Sequence, residues 1–480
     1  MDNKIEQFIT KNRNLIIIIL FIIIFLSINA IRLSTNDYFP TTQSTIFMND
    51  FQDYKAFSYE GTNAFYESVI ELSFLFGEEA SIFVVIFIIS LVSIILFNQI
   101  ANITLKRDTE KLLAGALFVL TNMFLLSVST FSFLPIIIML MVWTIYLSFK
   151  KPKLIFIPLI LSIFINLNLF IVNILLAIIL YIIFNLNKFK DVYHEKIKLK
   201  KFLGFNVLIP ALVLILIQIY SKITTQDLFW SRINYSNNLF GSNIYSISII
   251  YIILGIFALF MGIKDNKILI ISIILLLLSF INIYFGIIFL IWICMIAAVG
   301  LYNIIKRKWF VKELRIPVIF LLILLFLFSA VSFTDTIMHS EPTNELVKDI
   351  IIMQEYKEQN FDDNIAFCNI EDCDIISTYS NVSVFYSTKQ FENKEQHKKM
   401  LNLTKAMFDN SNIKVMEEFF FNNNISIVFI SEKTLNNKWS SVDEGMLLLL
   451  TQSNRFVMLE NTKEARVFYY IGEDNENESE

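Results

Sequence analysis

The sequence predicts a polytopic α-helical membrane domain of about eleven transmembrane helices, followed by a small C-terminal α/β domain. Two observations lead there. The chain is 56% hydrophobic with a mean hydropathy of +0.62, above the roughly 45–50% apolar content of soluble domains. The excess is confined to residues 15–334, where runs of Ile, Leu and Phe of 16 to 22 residues recur. Such runs match the ~20 residues needed to cross a bilayer. Charge is segregated in the same way. Residues 335–480 carry 26 Asp/Glu against 13 Lys/Arg, a net of −13, and the remainder carries 17 against 26, a net of +9. A basic membrane portion follows from the positive-inside bias and does not indicate nucleic-acid binding.

The first run, Leu15 to Ala30, follows Lys11 and Arg13. It is longer than a signal-peptide core and no A-x-A-like site follows, so it reads as a retained span. The eleven expected spans are 15–32, 80–98, 113–129, 134–149, 154–170, 171–187, 203–220, 243–263, 268–282, 283–304 and 316–334. A turn is placed inside 154–187, where Asn166, Asn168 and Asn173 cluster. With the N-terminus cytoplasmic, the inside segments hold 22 Lys/Arg. The outside holds four: Arg32 at a boundary, Lys55, Lys222 and Arg232. That asymmetry sets the orientation. An odd number of spans then puts residues 335–480 outside, in a multi-pass protein of the cell membrane.

Two outside loops, 33–79 and 221–242, are long enough to build a site. In the first, Phe65, Val69, Leu72 and Phe76 recur at helical spacing with Glu67 and Glu71 opposite. This predicts an amphipathic interfacial helix, or else an N-terminal extension of the second span. Residues 335–472 alternate strand-like pieces ("NIAFC", "VSVFYS", "ISIVFIS", "RFVMLEN", "ARVFYYI") with helix-like ones, and 473–480 reads as a disordered acidic tail. Cys294 lies in a span and reads as packing. Cys368 and Cys373 are compatible with a disulfide in an oxidising space or with two free thiols, and a lone nearby His397 argues against zinc.

No Asp, Glu, Lys, Arg or His falls inside an expected span core, which argues against an ion-coupled transporter. Asn122, Asn166, Asn173 and Gln218 within spans read as interhelical hydrogen-bonding residues. Ionisable residues gather instead in the outside loops: Asp37, Asp50, Asp53, Glu60 and Glu67 in the first, Asp227 and Arg232 beside Phe229, Trp230 and Tyr235 in the second. Chemistry on a lipid-borne substrate needs such groups. A carboxylate serves as base or metal ligand, and a guanidinium pairs with phosphate.

Three stretches carry a resemblance. They are "STNDYFPTTQSTIFMNDFQDYKAFSYEG" after the first span, "LLAGALFVLTNMFLLSVSTFSFLPIIIMLMVWTIYLSF" as paired spans, and "FFFNNNISIVFIS" followed by "LLLLTQSNRFVMLENTKEARVFYYI" near the end. In this layout the chain resembles GT-C-type membrane glycosyltransferases, the group of protein mannosyltransferases and oligosaccharyltransferase catalytic subunits. The resemblance implies a sugar taken from a polyprenyl-phosphate carrier on the outer face and passed to a lipid, glycan or protein acceptor. It implies that Asp37 is catalytic base or metal ligand, with magnesium or manganese as the divalent ion. Arg232, Asp50, Asp53, Glu60 and Trp230 are then substrate-binding candidates. Without the resemblance, Asp37 caps a turn before Pro40, with Tyr38 and Phe39 as interfacial aromatics.

The chain departs from that family in three places. Asn36 stands where an acidic pair is common, "SVSTFSFLP" carries no acid, and no W-W-D-x-G-type motif occurs. The last disfavours transfer to asparagine. The alternative is a catalytically degenerate relative acting as a binding or scaffold protein of the cell envelope. Asn-x-Ser/Thr sequons at Asn234, Asn381, Asn402, Asn424 and Asn477 face outside in this topology and favour neither reading.

Overall fold

The computed structural model describes residues 2–35, 64–165, 167–186, 249–261, 266–279, 283–306, 342–360, 365–380, 382–387, 394–439 and 444–471, with a few single positions besides. The chain divides into two compact units. Unit 1 is 1–32 with 60–338, and unit 2 is 33–59 with 339–480.

Unit 1 opens with α1 (Asp2–Thr35). Ile17, Phe21, Phe25, Ile28 and Arg32 are buried, at spacings of 4, 4, 3 and 4 residues, so one helical face forms the seam. Leu15, Ile19, Ile23 and Leu26 on the other side are exposed, as befits a face that meets lipid. The next two helices are α2 (Ala64–Phe76) and α3 (Glu78–Thr104). Phe21 and Phe25 pack on Phe87 of α3, with ring centroids 5.4 and 5.1 Å apart. Gly77 joins α2 to α3 at φ 82°, a left-handed conformation that a side chain would strain. Of the stripe expected in α2, Val69 is buried and Leu72 half-buried, with Glu71 exposed opposite them. Phe74 and Leu75, 85% and 75% exposed, share the side of Glu71.

The expected span 113–129 is two helices, α4 (Asp108–Val119) and α5 (Asn122–Ser129), bent by 52°. The break sits at Thr121. Its hydroxyl donates to the Phe118 carbonyl at 2.8 Å and accepts from the Phe124 amide at 3.3 Å, capping the second helix. Helix α6 (Leu134–Lys150) begins with Pro135 in its first turn. The turn expected within 154–187 falls between α7 (Phe156–Ile165) and α8 (Leu167–Leu186), a few residues before the predicted 170/171 boundary. Asn173 lies inside α8 and donates to Ser162 Oγ at 2.8 Å, the interhelical bond expected of it. In the last group, α9 (Ile249–Met261), α10 (Asn266–Ser279) and α11 (Ile283–Lys306), a Cβ at Gly300 would collide with the Leu254 carbonyl. Glycine there lets α9 and α11 approach closely.

Among the described residues three helices are long and apolar enough to cross a bilayer: Lys11–Ser34, Ala80–Thr104 and Tyr284–Lys306. The bent pair α4–α5 makes a fourth if it is one span. Further apolar helices are shorter, and the expected spans 203–220 and 316–334 fall outside the described residues or on single positions of them. The chain is a polytopic helical membrane protein.

Unit 2 is built on a five-stranded sheet ordered β2-β1-β3-β5-β4. The strands are β1 (Ile365–Phe367), β2 (Ser383–Val384), β3 (Ile425–Ser431), β4 (Phe456–Asn461) and β5 (Ala465–Tyr470). β1 runs parallel to β2 and β3, and β5 runs antiparallel to β3 and β4. All seven residues of β3 are buried because both its faces are covered. Ile427 and Phe429 pack with Leu346, Ile350 and Met353 of α12 (Asn344–Asn360) and with Ile375 and Ile376 of α13 (Ile370–Tyr379). Val428 and Ile430 face the other layer. That layer is Phe408 of α14 (Lys394–Phe408), Met416 and Phe420 of α15 (Ile413–Asn422), and Met446, Leu447 and Leu450 of α17 (Gly445–Gln452). The short helix α16 (Glu432–Lys438) follows β3 directly.

Candidate functional site

The residues named from the sequence, Asp37, Asp50, Asp53, Glu60, Trp230 and Arg232, lie outside the described residues. What is described is the platform from which their first loop departs, the C-terminal end of α1.

Arg32 dominates that platform. It is 1% exposed, and its guanidinium carbon stands 4.9 Å from the centroid of the Phe83 ring on α3. A cation over an aromatic face is attracted by the ring quadrupole, most strongly where water is excluded. One turn earlier, Asn29 donates to the Phe25 carbonyl at 2.9 Å and to the Val128 carbonyl of α5 at 3.3 Å. The segment Val128 belongs to is rich in buried hydroxyls: Ser127, Ser129, Thr130 and Ser132. Most bond locally, Ser127 to the Phe124 carbonyl and Thr130 to the Leu126 carbonyl, and Thr130 and Ser132 share a 3.2 Å contact. The 52° elbow thus brings a hydroxyl-lined segment against the end of α1.

Sequence reasoning treated Arg32 as a boundary charge and missed its burial. The signal was in the register, since Arg32 continues the Ile17, Phe21, Phe25, Ile28 stripe that turns inward.

The other end of unit 1 is arranged differently. Arg13 Nη1 contacts Asp108 Oδ1 at 2.7 Å, Lys111 Nζ reaches the same oxygen at 3.0 Å, and Arg13 Nη2 donates to Asn102. Arg107 lies 4.7 Å from the Tyr302 ring centroid. These are mutually satisfied charges and hold α1, α3, α4 and α11 together.

In unit 2, Cys368 and Cys373 form a disulfide that closes the turn from β1 into α13. Next to it Asp372 is buried and accepts from Ser431 Oγ at 2.8 Å and Thr434 Oγ1 at 2.9 Å. Asn369 donates to Thr434 Oγ1 at 3.2 Å. Open α/β sheets bind ligands beyond the carboxyl ends of parallel strands, where the connections diverge. Here that place, after β1 and β3, is filled by its own hydrogen-bond network. Among the described residues no group of three or more His, Cys, Asp or Glu is placed to hold a metal.

No family model and no curated protein matches the sequence. Solved structures do match the fold. ArnT from Cupriavidus metallidurans in the apo state aligns at a TM-score of 0.54 and 10% identity, over 94% of this chain and 97% of that one. The Archaeoglobus fulgidus oligosaccharyltransferase in the apo form gives 0.54 and 10%, over 88% and 70%. The same enzyme, AglB, with an inhibitory peptide and a dolichol-phosphate gives 0.52 and 11%, over 88% and 70%. The fold is that of the GT-C glycosyltransferases. At a tenth of residues identical, the likeness shows the fold alone and leaves the reaction to be argued from this chain's own residues.

Proposed function

We propose that the protein is a membrane glycosyltransferase. It moves a sugar from a polyprenyl-phosphate carrier to an acceptor at the outer membrane surface. The observation that carries this reading is the GT-C fold over nearly the whole chain. One of its structural neighbours was solved with a dolichol-phosphate and another with an acceptor peptide. The buried Arg32 adds to it. Its guanidinium, packed on the Phe83 ring, puts fixed positive charge at the C-terminal end of α1.

The outward placement of α1's C-terminal end and of residues 335–480 rests on the loop charges. The disulfide supports it, since disulfides persist in oxidising compartments.

In this reading Asp37 takes the proton of the acceptor hydroxyl. The acceptor oxygen bonds to the anomeric carbon, the bond from that carbon to the phosphate oxygen breaks, and the lipid phosphate leaves with the electron pair. Arg232 holds the phosphate, Trp230, Asp50, Asp53 and Glu60 bind the substrate, and Arg32 supplies fixed positive charge at the end of α1. A magnesium or manganese ion would need the loop's carboxylates. Those carboxylates lie outside the described residues, and such an ion would supply charge neutralisation at the leaving phosphate.

The test is transfer from polyprenyl-phosphate-linked sugars by the purified protein in lipid, with mass spectrometry of copurifying lipids. Bound carrier lipid and turnover support the reading. Bound carrier without turnover for any donor favours the non-catalytic alternative, and neither result removes both.

A further inference from the structure

Buried hydroxyls in unit 2 fall into two groups. Ser431 and Thr434 donate to Asp372, and Thr378 donates to the Asp374 carbonyl at 2.7 Å. Thr404 and Ser426 differ. They are 3% and 8% exposed, and their hydroxyl oxygens have no hydrogen-bond partner among the described residues. A buried hydroxyl left without a partner is a cost to folding that Val or Ala would avoid. A threonine inside a helix ordinarily donates to the carbonyl four residues back, and Thr404, in α14, does not.

The two residues share one further property. Each is the third residue of an Asn-x-Ser/Thr sequon, Asn402-Leu403-Thr404 and Asn424-Ile425-Ser426. Both asparagine side chains are exposed, Asn402 on α14 and Asn424 at the turn into β3, where its φ is 52°. Unit 1 supplies the contrast. Asn102-Ile103-Thr104 has the same pattern, but Asn102 accepts from Arg13 and Thr104 donates to the Ile100 carbonyl at 2.9 Å. There the fold uses both groups. In unit 2 the fold uses neither hydroxyl, and the requirement they meet is that of the sequon.

We propose that Asn402 and Asn424 are N-glycosylation sites. The co-reactant is a lipid-linked glycan, delivered by an asparagine-directed transferase. The asparagine Nδ2 bonds to the anomeric carbon, the bond from that carbon to the lipid phosphate oxygen breaks, the lipid phosphate leaves with the electron pair, and the amide proton passes to the transferase's base. A transferase that reads the third residue cannot reach a hydroxyl buried to this degree. The acceptor is therefore the chain before unit 2 has folded, and the glycans then stand on its surface. This inference rests on the outward placement of residues 335–480 proposed above. It does not depend on glycosyl transfer by this chain.

The experiment is peptide mass spectrometry of the full-length protein isolated from membranes of the cells that make it, with the thiol state of Cys368 and Cys373 read in the same digest. The expected result is glycan on both asparagines and a closed disulfide. Thr404→Val and Ser426→Ala each remove the glycan from their own sequon. Each melts no lower than Asn402→Gln or Asn424→Gln, which lack the same glycan, whereas a hydroxyl kept for the fold would lower it. Bare asparagines beside a closed disulfide overturn the sites and leave the outward placement standing. Bare asparagines with free thiols overturn both. A glycan that stays on the peptides carrying positions 402 and 424 in the Asn402→Gln/Asn424→Gln double variant overturns the assignment to these two asparagines.

Discussion

Arg13 and Arg32 flank the apolar run of α1, nineteen residues apart, which is roughly 28 Å at 1.5 Å per residue and close to the ~30 Å of a bilayer's hydrocarbon. By residue type they are interchangeable flanking charges. Their surroundings are not. Arg13 meets a carboxylate that also serves Lys111, and an amide that completes its fork. Arg32 is packed against an aromatic ring, beside a hydroxyl-lined elbow, three residues before α1 ends at Thr35 and the acid-bearing loop begins. The first arrangement spends its charge on joining helices. The second buries its charge against an aromatic face. Position along a helix predicts that a charge flanks the bilayer, and only the partners show whether it serves structure or chemistry.

The largest expected effect lies just beyond the Arg32 end. Asp37→Asn keeps the side-chain size and removes the base, so transfer should fall by about 10²–10⁴-fold, the usual contribution of a general base, while carrier lipid still copurifies. An active enzyme indifferent to this change moves the role to Asp50, Asp53 or Glu60.

The comparison itself is tested by treating the two arginines alike. Arg32→Met keeps an apolar side chain over Phe83 and removes the charge. If the cation serves an anionic partner in catalysis, kcat/KM should fall by the equivalent of about 1.5–3 kcal/mol, the scale of a charge-assisted hydrogen bond. Arg13→Met should leave turnover unchanged. It should cost only ~0.5–1 kcal/mol in stability, because Asp108 is 39% exposed and water screens the pair. If Arg13→Met stops transfer, or Arg32→Met only lowers the melting temperature, the contrast between the two ends is wrong.

Much of the architecture was legible because hydrophobic period is a strong signal. "ISIVFIS" reads as a strand from its β-branched and aromatic run, and it is the strand buried on both faces. Less was legible where one side chain decides the backbone. The span 113–129 read as continuous because hydropathy does not register the Thr121 cap that bends it. The cysteines stayed open to either state because spacing does not show that the turn from β1 into α13 brings the two sulfurs together. Arg32 was misjudged because a hydropathy window weighs residue type and ignores which way the residue faces. The acids and the second loop were chosen on chemistry alone. They fall outside the described residues, and the structure adds to them a buried cation that the sequence showed only as a boundary.

The smallest effect separates two kinds of carboxylate in unit 2. Asp372 is answered by hydroxyls. Asp349 is not answered as fully. Burial raises its pKa, the neighbouring Glu460 and Glu345 raise it further, and the Thr462 hydroxyl, donating at 2.5 Å, pulls the other way. Glu464 is raised by burial first and then by Glu345 and Glu432, against a lowering from Lys463 and with Asp349 adding to the rise. A carboxyl whose pKa is raised by folding binds its proton more tightly in the folded state. Its stabilising contribution is therefore full below the unfolded value of about 4 and is lost as pH rises through the folded value. Unit 2 should thus be tighter in mild acid than at neutral pH on account of these two groups. Glu464→Gln should flatten that dependence and raise stability at pH 7, by less than ~1 kcal/mol because solvent screens a partly exposed group. The measurement is hydrogen exchange of β3 and β5 peptides in the full-length protein, corrected for the intrinsic pH dependence of exchange. Protection that rises from pH 4 to pH 7 in the wild type, or a Glu464→Gln variant less protected at neutral pH, would show that these carboxylates are paired in the folded chain and not opposed.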